Sequence, residues 1–350
     1  MGGWKVEVVT DPETGKPSNS EYYNGYENME VKQEQTYLGD LLSADGTHTK
    51  KVQQRSNKGL GTINQIMSIL ESTYYGKYFF EVATILRESL FLSSLLLNSE
   101  AWVNYNDKDV RILEQCDEIL MSKILSSDSN TSNAFKYLEL GIVPVRFEIM
   151  KRKIGFLQYI LKQEKDSMVY QVLQATSEKS VKNDFVFRCK KYLEILKINL
   201  SFEEIAKMTK FSLNKLLKEK IRVAAFEYLK MQQSKQDKIK NIEYQKLEMQ
   251  EYLANGDRNI NLSKVIFKAR GRNLDIKLQK KWKYDNKLCS GCKTNEESGE
   301  ELLNCKSFGE NKEKVSYSMF FSDLVKEQTK VGNKMMKNLK ERKRIREEVT

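Results

Sequence analysis

The chain has 350 residues, of which 40% are hydrophobic, and carries a formal net charge of +11. Its longest apolar run, Leu90–Leu97, excludes a membrane-spanning helix, which needs about 20 apolar residues. The positive charge favours a polyanionic partner such as RNA or DNA, because basic side chains release the counterions condensed on phosphates. Five cysteines, three of them clustered, fit a reducing compartment, so the nucleus or cytoplasm is expected.

The N-terminal third of the chain is predicted to contain a short β element followed by a helical bundle. Residues 1–47 are polar and include a strand over Thr36–Leu42. Residues 48–130 show apolar residues at helical spacing and form the predicted bundle. Its helices are expected over Lys51–Leu70, Tyr78–Val103 and Asp107–Leu125.

Residues 131–255 are predicted to be a helical connecting region. Its helices are expected over Ala134–Leu140, Glu148–Gln163, Phe185–Leu196, Phe202–Met208, Leu213–Met231 and Ile239–Leu253. Two helices joined at Thr209–Ser212 fit either a helix-turn-helix or two antiparallel helices of an ordinary bundle. The fold class is therefore mainly α, with a short β element near the N-terminus and a small Cys-x-x-Cys knuckle near the C-terminus.

The knuckle lies in residues 256–309, where a dense basic segment leads into a cluster of cysteines. Cys289 and Cys292 have the spacing with which a tight turn offers two thiolates to one tetrahedral Zn²⁺. Cys305 can supply a third sulfur. The only histidine of the chain is His48, far upstream, so another residue type must complete a four-ligand site.

Glu301 has two competing interpretations. It precedes Cys305 by four residues, which places both side chains on one face of a helix, and it can serve as the fourth metal ligand. Glu301 also fits a capping box in which Ser298 begins a short helix and the carboxylate folds back onto the backbone of the cap. In the second case the carboxylate needs no metal.

The basic segment combines cations with aromatic rings, which is typical of nucleic-acid contacts, since cations neutralise phosphates and rings stack on bases. Each cation taken alone also fits a solvated surface, and Trp282 also fits packing against the knuckle. A charged tail, residues 310–350, follows, and a solvated helix is expected in it. The predicted contact residues are Lys264, Lys268, Arg270, Arg272, Lys277, Lys280, Lys281, Trp282, Lys283 and Tyr284, with Arg55 and Lys58 as a second patch.

Several strings, in this order and spacing, resemble the region after the catalytic palm in reverse transcriptases of non-LTR (LINE-type) retrotransposons. The resemblance covers about residues 35–310. It rests on Tyr37-Leu-Gly39, Ser43-Ala-Asp-Gly46 with Arg55, Gly76-Lys-Tyr78, Leu86-Arg87, Asn98-Ser-Glu-Ala-Trp102, Leu138-Glu-Leu-Gly141 with Pro144, Lys151-Arg-Lys153 with Gly155-Phe-Leu157, Ile266-Phe-Lys268 with Arg270 and Arg272, Lys283-Tyr284 and the three clustered cysteines.

The resemblance implies a role in holding nucleic acid. In that family a primer-grip strand, which Thr36–Leu42 would match, precedes a helical thumb, a helical connecting region and a cysteine-rich knuckle that helps hold RNA or DNA. The family has a histidine where this chain has Glu301, so the chain departs from the family at one ligand position of the knuckle.

A larger departure from the family is the missing catalytic pair. Reverse transcriptases hold two Mg²⁺ ions with adjacent aspartates, and the sequence contains no Asp-Asp dipeptide. We therefore expect a non-catalytic nucleic-acid-binding protein, without Mg²⁺ unless a palm is supplied separately. The alternatives are a polymerase completed by a separate palm, a helical protein-interaction scaffold and a non-functional relic.

Overall fold

The computed structural model describes residues 22–23, 28–29, 34–37, 40–43, 48–72, 76–103, 105–179, 184–254, 259–280, 283–308, 315–322 and 325–347. Lys281 and Trp282 of the predicted contact lie outside the described residues. Within the described ranges the fold is mainly helical with only short strands, which confirms the predicted fold class. None of the described helices combines the length and the apolar character needed to cross a bilayer.

The N-terminal β element consists of two short antiparallel hairpins, and each has two strands. The strands are β1 Tyr22–Tyr23, β2 Asn28–Met29, β3 Glu34–Tyr37 and β4 Asp40–Ser43. β3 pairs with β4 in a register that sets Tyr37 opposite Asp40. The prediction of one continuous strand over Thr36–Leu42 is therefore wrong, because Thr36 and Tyr37 pair with Leu41 and Asp40 of a second, antiparallel strand.

Helices form the rest of the described fold. They are α1 Thr49–Ser72, α2 Phe79–Leu86, α3 Leu92–Leu95, α4 Asp107–Leu125, α5 Asn133–Leu140, α6 Val145–Leu161, α7 Met168–Lys179, α8 Phe185–Ile195, α9 Phe202–Lys207, α10 Lys210–Ser234, α11 Glu251–Ala254, α12 Ile260–Arg270, α13 Gly299–Asn304 and α14 Val325–Glu347. A π-helical turn over Arg87–Phe91 joins α2 to α3. Most fall where apolar periodicity predicts them, whereas α7 was not predicted.

The core connects the predicted parts of the chain. One cluster of buried apolar side chains runs from Val52 in α1 to Met335 in α14. Helix α1 packs on α4, α10 packs on α5 and α6, and α12 packs on α14. The two helices on either side of Thr209 therefore belong to a packed bundle. The predicted division into five parts stays a prediction.

A buried ion pair ties the first helices together. The Arg87 guanidinium, in the π-helical turn, donates two hydrogen bonds to the Asp117 carboxylate of α4, at 2.7 and 2.6 Å. It also donates to the Val143 carbonyl at 3.0 Å, and the Tyr137 hydroxyl donates to Asp117 at 2.8 Å. Every charge of the pair is thus hydrogen-bonded, which a buried pair requires.

The helix predicted over Ile239–Leu253 is wrong except for its last residues, which form α11. The apolar side chains of Ile239, Ile242 and Leu247 are buried as expected, but the backbone turns irregularly. The Gln233 side chain donates to the carbonyls of Ile239 and Ile242, both at 2.7 Å, and replaces helical hydrogen bonds there. Side-chain donors from a neighbouring helix are invisible to a periodicity argument.

Gly141 makes room for the end of this irregular segment. Its φ of +64° is left-handed, and an added Cβ would lie 2.1 Å from the backbone of Glu248 and of Met249. The close approach permits the bridge between Leu140 and Met249 and the hydrogen bond from the Gln250 N–H to the Glu139 carbonyl, at 2.9 Å. Glu139 is thereby held in the core.

Candidate metal centre

A tight hairpin brings the two cysteines of the Cys-x-x-Cys pair together. The Cys289 N–H donates to the Asn295 carbonyl at 2.7 Å, and the Lys293 N–H donates to the Cys289 carbonyl at 3.0 Å. Gly291, between the cysteines, leaves no room for a side chain, because a Cβ would lie 2.8 Å from the Ser307 Cβ. The hairpin is therefore packed closely against the chain that follows Cys305.

Helix α13 supplies the other two ligand candidates. Glu301 lies in its first turn and Cys305 directly follows its last residue. The ligand atoms of the four residues all lie within 4.8 Å of one another. The Cys289 and Cys305 sulfurs are 3.7 Å apart, and the Cys292 sulfur lies 3.3 Å from Glu301 Oε1. Tetrahedral zinc bonds of about 2.3 Å to sulfur and about 2.0–2.2 Å to oxygen give ligand separations of roughly 3.5–3.8 Å, so this group can hold a metal ion.

The side chain of Glu301 faces the sulfurs and does not close a capping box. Ser298 does cap α13, because its hydroxyl accepts from the Glu301 N–H at 2.9 Å. The Ser298 N–H, however, donates to the Glu296 carbonyl, and the Glu301 carboxylate accepts from Asn295 Nδ2 at 3.1 Å. The helix cap uses the backbone N–H of Glu301, whereas metal binding would use its side-chain carboxylate. The two roles are therefore compatible.

A complete capping box elsewhere in the chain shows the contrast. At the start of α9 the Ser201 N–H donates to the Glu204 carboxylate at 2.7 Å, and the Ser201 hydroxyl accepts from the Glu204 N–H. Ser201 and Glu204 therefore satisfy each other's backbone groups. The corresponding carboxylate of Glu301 is left for the cysteine cluster.

The electrostatic surroundings of the cysteines differ between the two hairpin positions. Burial raises the pKa of the Cys289 thiol to about 12, against the opposing effect of the Cys292 and Gly291 N–H groups. Hydrogen bonds from the backbone N–H groups of Asn295 and Thr294 lower the pKa of Cys292. Backbone donors aimed at sulfur favour the thiolate, which is the form that ligates metals.

The buried carboxylate of Glu297 fastens the hairpin to α14. It accepts from the Ser290 N–H at 3.0 Å and from the Ser290 hydroxyl at 2.8 Å. From α14, Arg342 Nε donates to it at 2.8 Å and Arg346 Nη2 at 3.3 Å. Burial alone would raise the pKa of Glu297, but the hydrogen bond and charge of Arg342 hold it below its usual value.

This fastening was not predicted from sequence. Glu297 and Arg342 are 45 residues apart, and no local spacing links them. A second hydrogen bond between residues far apart in the chain is donated by the Asn338 side chain of α14 to the Leu302 carbonyl of α13, at 2.7 Å. Both parts that carry the ligands, the Cys289–Cys292 hairpin and helix α13, are therefore hydrogen-bonded to α14, the hairpin through Glu297.

Two cations of the predicted nucleic-acid contact are buried in ion pairs. Arg270 Nε lies 3.0 Å from Glu139 Oε1, with 5% of its side chain exposed. Lys280 is also buried, donates to Asn273 Oδ1 at 2.7 Å and pairs with Asp128. The structure therefore places both of these charges inside the protein.

Arg55, from the second predicted patch, is buried as well, with 2% of the residue exposed. Lys58, one turn further along α1, is exposed. Of this patch only Lys58 therefore presents its charge at the surface.

Tyr284 is covered rather than open for stacking. The Arg346 guanidinium lies 4.4 Å from the centre of its ring, and its hydroxyl donates to Asp275 Oδ1 at 2.8 Å. Lys283 is exposed and pairs with the same aspartate at 3.1 Å. The hydroxyl group of Tyr284 and one face of its ring therefore already have partners within the protein, namely Asp275 and Arg346.

The remaining predicted cations reach the surface to different degrees. Arg272 is exposed, whereas Lys264, Lys268 and Lys277 are half-buried. Burial lowers the pKa of all three lysines. Lys264 also lies over the Phe79 ring, 5.2 Å from its centre. The described members of the predicted contact therefore divide between buried, half-buried and exposed positions.

No protein-family model, no curated protein and no solved structure matches this chain. The resemblance to non-LTR reverse transcriptases therefore stays a prediction that rests on the quoted sequence strings.

Proposed function

We propose that the protein is a non-catalytic nucleic-acid-binding protein, built like the C-terminal part of a non-LTR retrotransposon reverse transcriptase, whose knuckle is held by Zn²⁺. The proposal for the metal rests on the convergence of three cysteine sulfurs and one carboxylate within 4.8 Å. Three thiolates select a soft or borderline cation, and four ligands without an open position are typical of structural zinc. We propose zinc as the ion and Cys289, Cys292, Cys305 and Glu301 as its ligands.

Metal analysis of purified protein tests this assignment. We expect about one zinc per chain in the wild type and loss of the metal in Cys292→Ser, because structural sites need all their thiolates. Glu301→Ala is expected to retain zinc only weakly, and Glu296→Ala, an exposed glutamate of the same hairpin, is the matched control. A full equivalent of zinc in Glu301→Ala after competition with a chelator would remove Glu301 from the ligands.

The proposal of nucleic-acid binding is supported by the net charge of +11 and by the exposed Arg272 and Lys283 and the half-buried Lys277 of the basic segment. Binding to RNA and DNA should weaken steeply with salt, by a log–log slope of about −0.9 per phosphate contact on duplex DNA. The informative variant changes Arg272, Lys277 and Lys283 to Gln and leaves the buried Arg270 and Lys280 intact. No detectable binding at low salt would refute the proposal.

The same material tests the polymerase alternative. Primer extension is measured with the chain alone and with an added palm domain, and the expected result is no incorporation in either case.

The five cysteines are free among the described residues. That state agrees with the proposed nuclear or cytoplasmic location, where thiols stay reduced.

A further inference from the structure

Helix α14 has one face in the core and a row of cations on the opposite face. Its buried side chains contact α12 and α13 and include Val331, Met335 and Arg342. At 100° per residue the opposite sector, about 80° wide, contains five basic residues and no acidic one. This cationic row consists of Lys326, Lys330, Lys337, Lys340 and Arg344.

The cationic row is exposed over its whole length. From Lys326 to Arg344 it extends over 18 positions, or about 27 Å at 1.5 Å per residue. Arg344 also pairs with Glu341 on the flank of the row, at 2.6 Å. At about 3.4 Å per phosphate along the duplex axis, a row of this length equals the rise of about eight phosphates of one strand, so several of its cations can reach phosphates at once.

The helix that carries the row is held rigidly. Arg342 is bonded to the buried Glu297, and Asn338 to the Leu302 carbonyl, so both partners come from the segment that contains the metal ligands. These bonds fix the rotation of α14 about its own axis. The cations therefore point outward without the cost of ordering a flexible tail.

We propose that the cationic row of α14 is the docking surface for the phosphate backbone of a nucleic-acid duplex. The proposal rests on the nucleic-acid-binding function proposed above and adds the site. A duplex is favoured over a single strand because Val325–Glu347 contains no aromatic residue on which an unpaired base could stack. A lipid surface is disfavoured because membrane-surface helices insert an apolar face, and that face of α14 is buried in the protein.

The test compares two variants that lose the same charge. The row variant carries Lys326→Gln, Lys330→Gln, Lys337→Gln and Lys340→Gln. The control variant carries Lys191→Gln, Lys207→Gln, Lys215→Gln and Lys218→Gln, four exposed lysines of α8, α9 and α10. Both lower the formal net charge from +11 to +7, so nonspecific attraction changes equally. Circular dichroism and zinc content establish that both remain folded.

Binding is measured by fluorescence anisotropy between 50 and 300 mM salt, with a DNA duplex, an RNA duplex, a single-stranded RNA and vesicles containing anionic lipid. The row variant is expected to lose affinity for duplexes at least about tenfold and to have a salt slope smaller by about 3–4, since each phosphate-contacting lysine contributes about 1. The salt slope of the control variant should differ from that of the wild type by less than half of the change expected for the row variant.

Three outcomes would overturn the proposal. Equal losses in the two variants would show that only net charge matters, and the function would stand without this site. A loss confined to single-stranded RNA or to vesicles would assign the row to a different partner. Failure of the wild type to bind any nucleic acid would refute both the site and the proposed function.

Discussion

Replacing Arg270 with Ala should destabilise the fold rather than abolish a surface contact. The Arg270 guanidinium compensates Glu139, which is 0% exposed and also accepts from the Tyr244 and Tyr252 hydroxyls, both at 2.5 Å. Arg270 Nη1 further donates to the Phe320 carbonyl at 2.9 Å. Without the cation, Glu139 keeps its two hydroxyl donors but has no counter-charge, and Phe320 loses a donor.

The expected cost is about 3–5 kcal/mol, the magnitude for a buried charge whose partner is removed. Urea denaturation followed by circular dichroism measures it as a lower midpoint. The matched control is Arg272→Ala, two residues on and exposed, with an expected effect within about 0.5 kcal/mol. The double variant Arg270→Gln with Glu139→Gln should be destabilised by less than the sum of its single variants, because their effects are coupled.

A destabilisation of Arg270→Ala below about 1 kcal/mol would contradict the buried pair. If Arg270→Ala instead lost nucleic-acid affinity at unchanged stability, Arg270 would be a contact residue as the sequence predicted. The stability measurement and the binding measurement therefore separate the two roles of the same side chain.

Two further predictions concern the knuckle. The pKa of Glu297 is held low by Arg342 although burial opposes it; its stabilisation is therefore complete above the unfolded-state pKa of about 4.3 and is lost as the pH falls through the lower folded value. Glu297→Gln should be less stable than the wild type at pH 7, and the difference should shrink on acidification; a constant difference would contradict this. Gly291→Ala should cost about 1–3 kcal/mol and weaken zinc retention, since its Cβ would lie 3.0 Å from the Phe308 ring. Unchanged melting and zinc content would show that the contact relaxes freely.

Local patterns were sufficient to predict most of the helices and the members of the metal cluster. Helical periodicity identified α4 and α6 to within a few residues, and the spacing of Cys289, Cys292 and Cys305 singled them out as ligand candidates. Glu301 was proposed because positions four apart share a helix face. The sequence could not decide between cap and ligand, since that depends on which way one carboxylate turns.

The sequence by itself determined the helical class, the positive charge and the identity of the four candidate ligands, because each of these depends on composition or on near neighbours in the chain. Only the tertiary structure decided which cations face solvent. Arg270 finds its partner Glu139 at a separation of 131 residues, and Arg342 finds Glu297 across 45. Pairing at such distances follows from packing, so a basic segment that looks uniform in sequence divides into buried ion pairs and exposed charge. Packing likewise leaves one row of cations of α14 exposed to solvent.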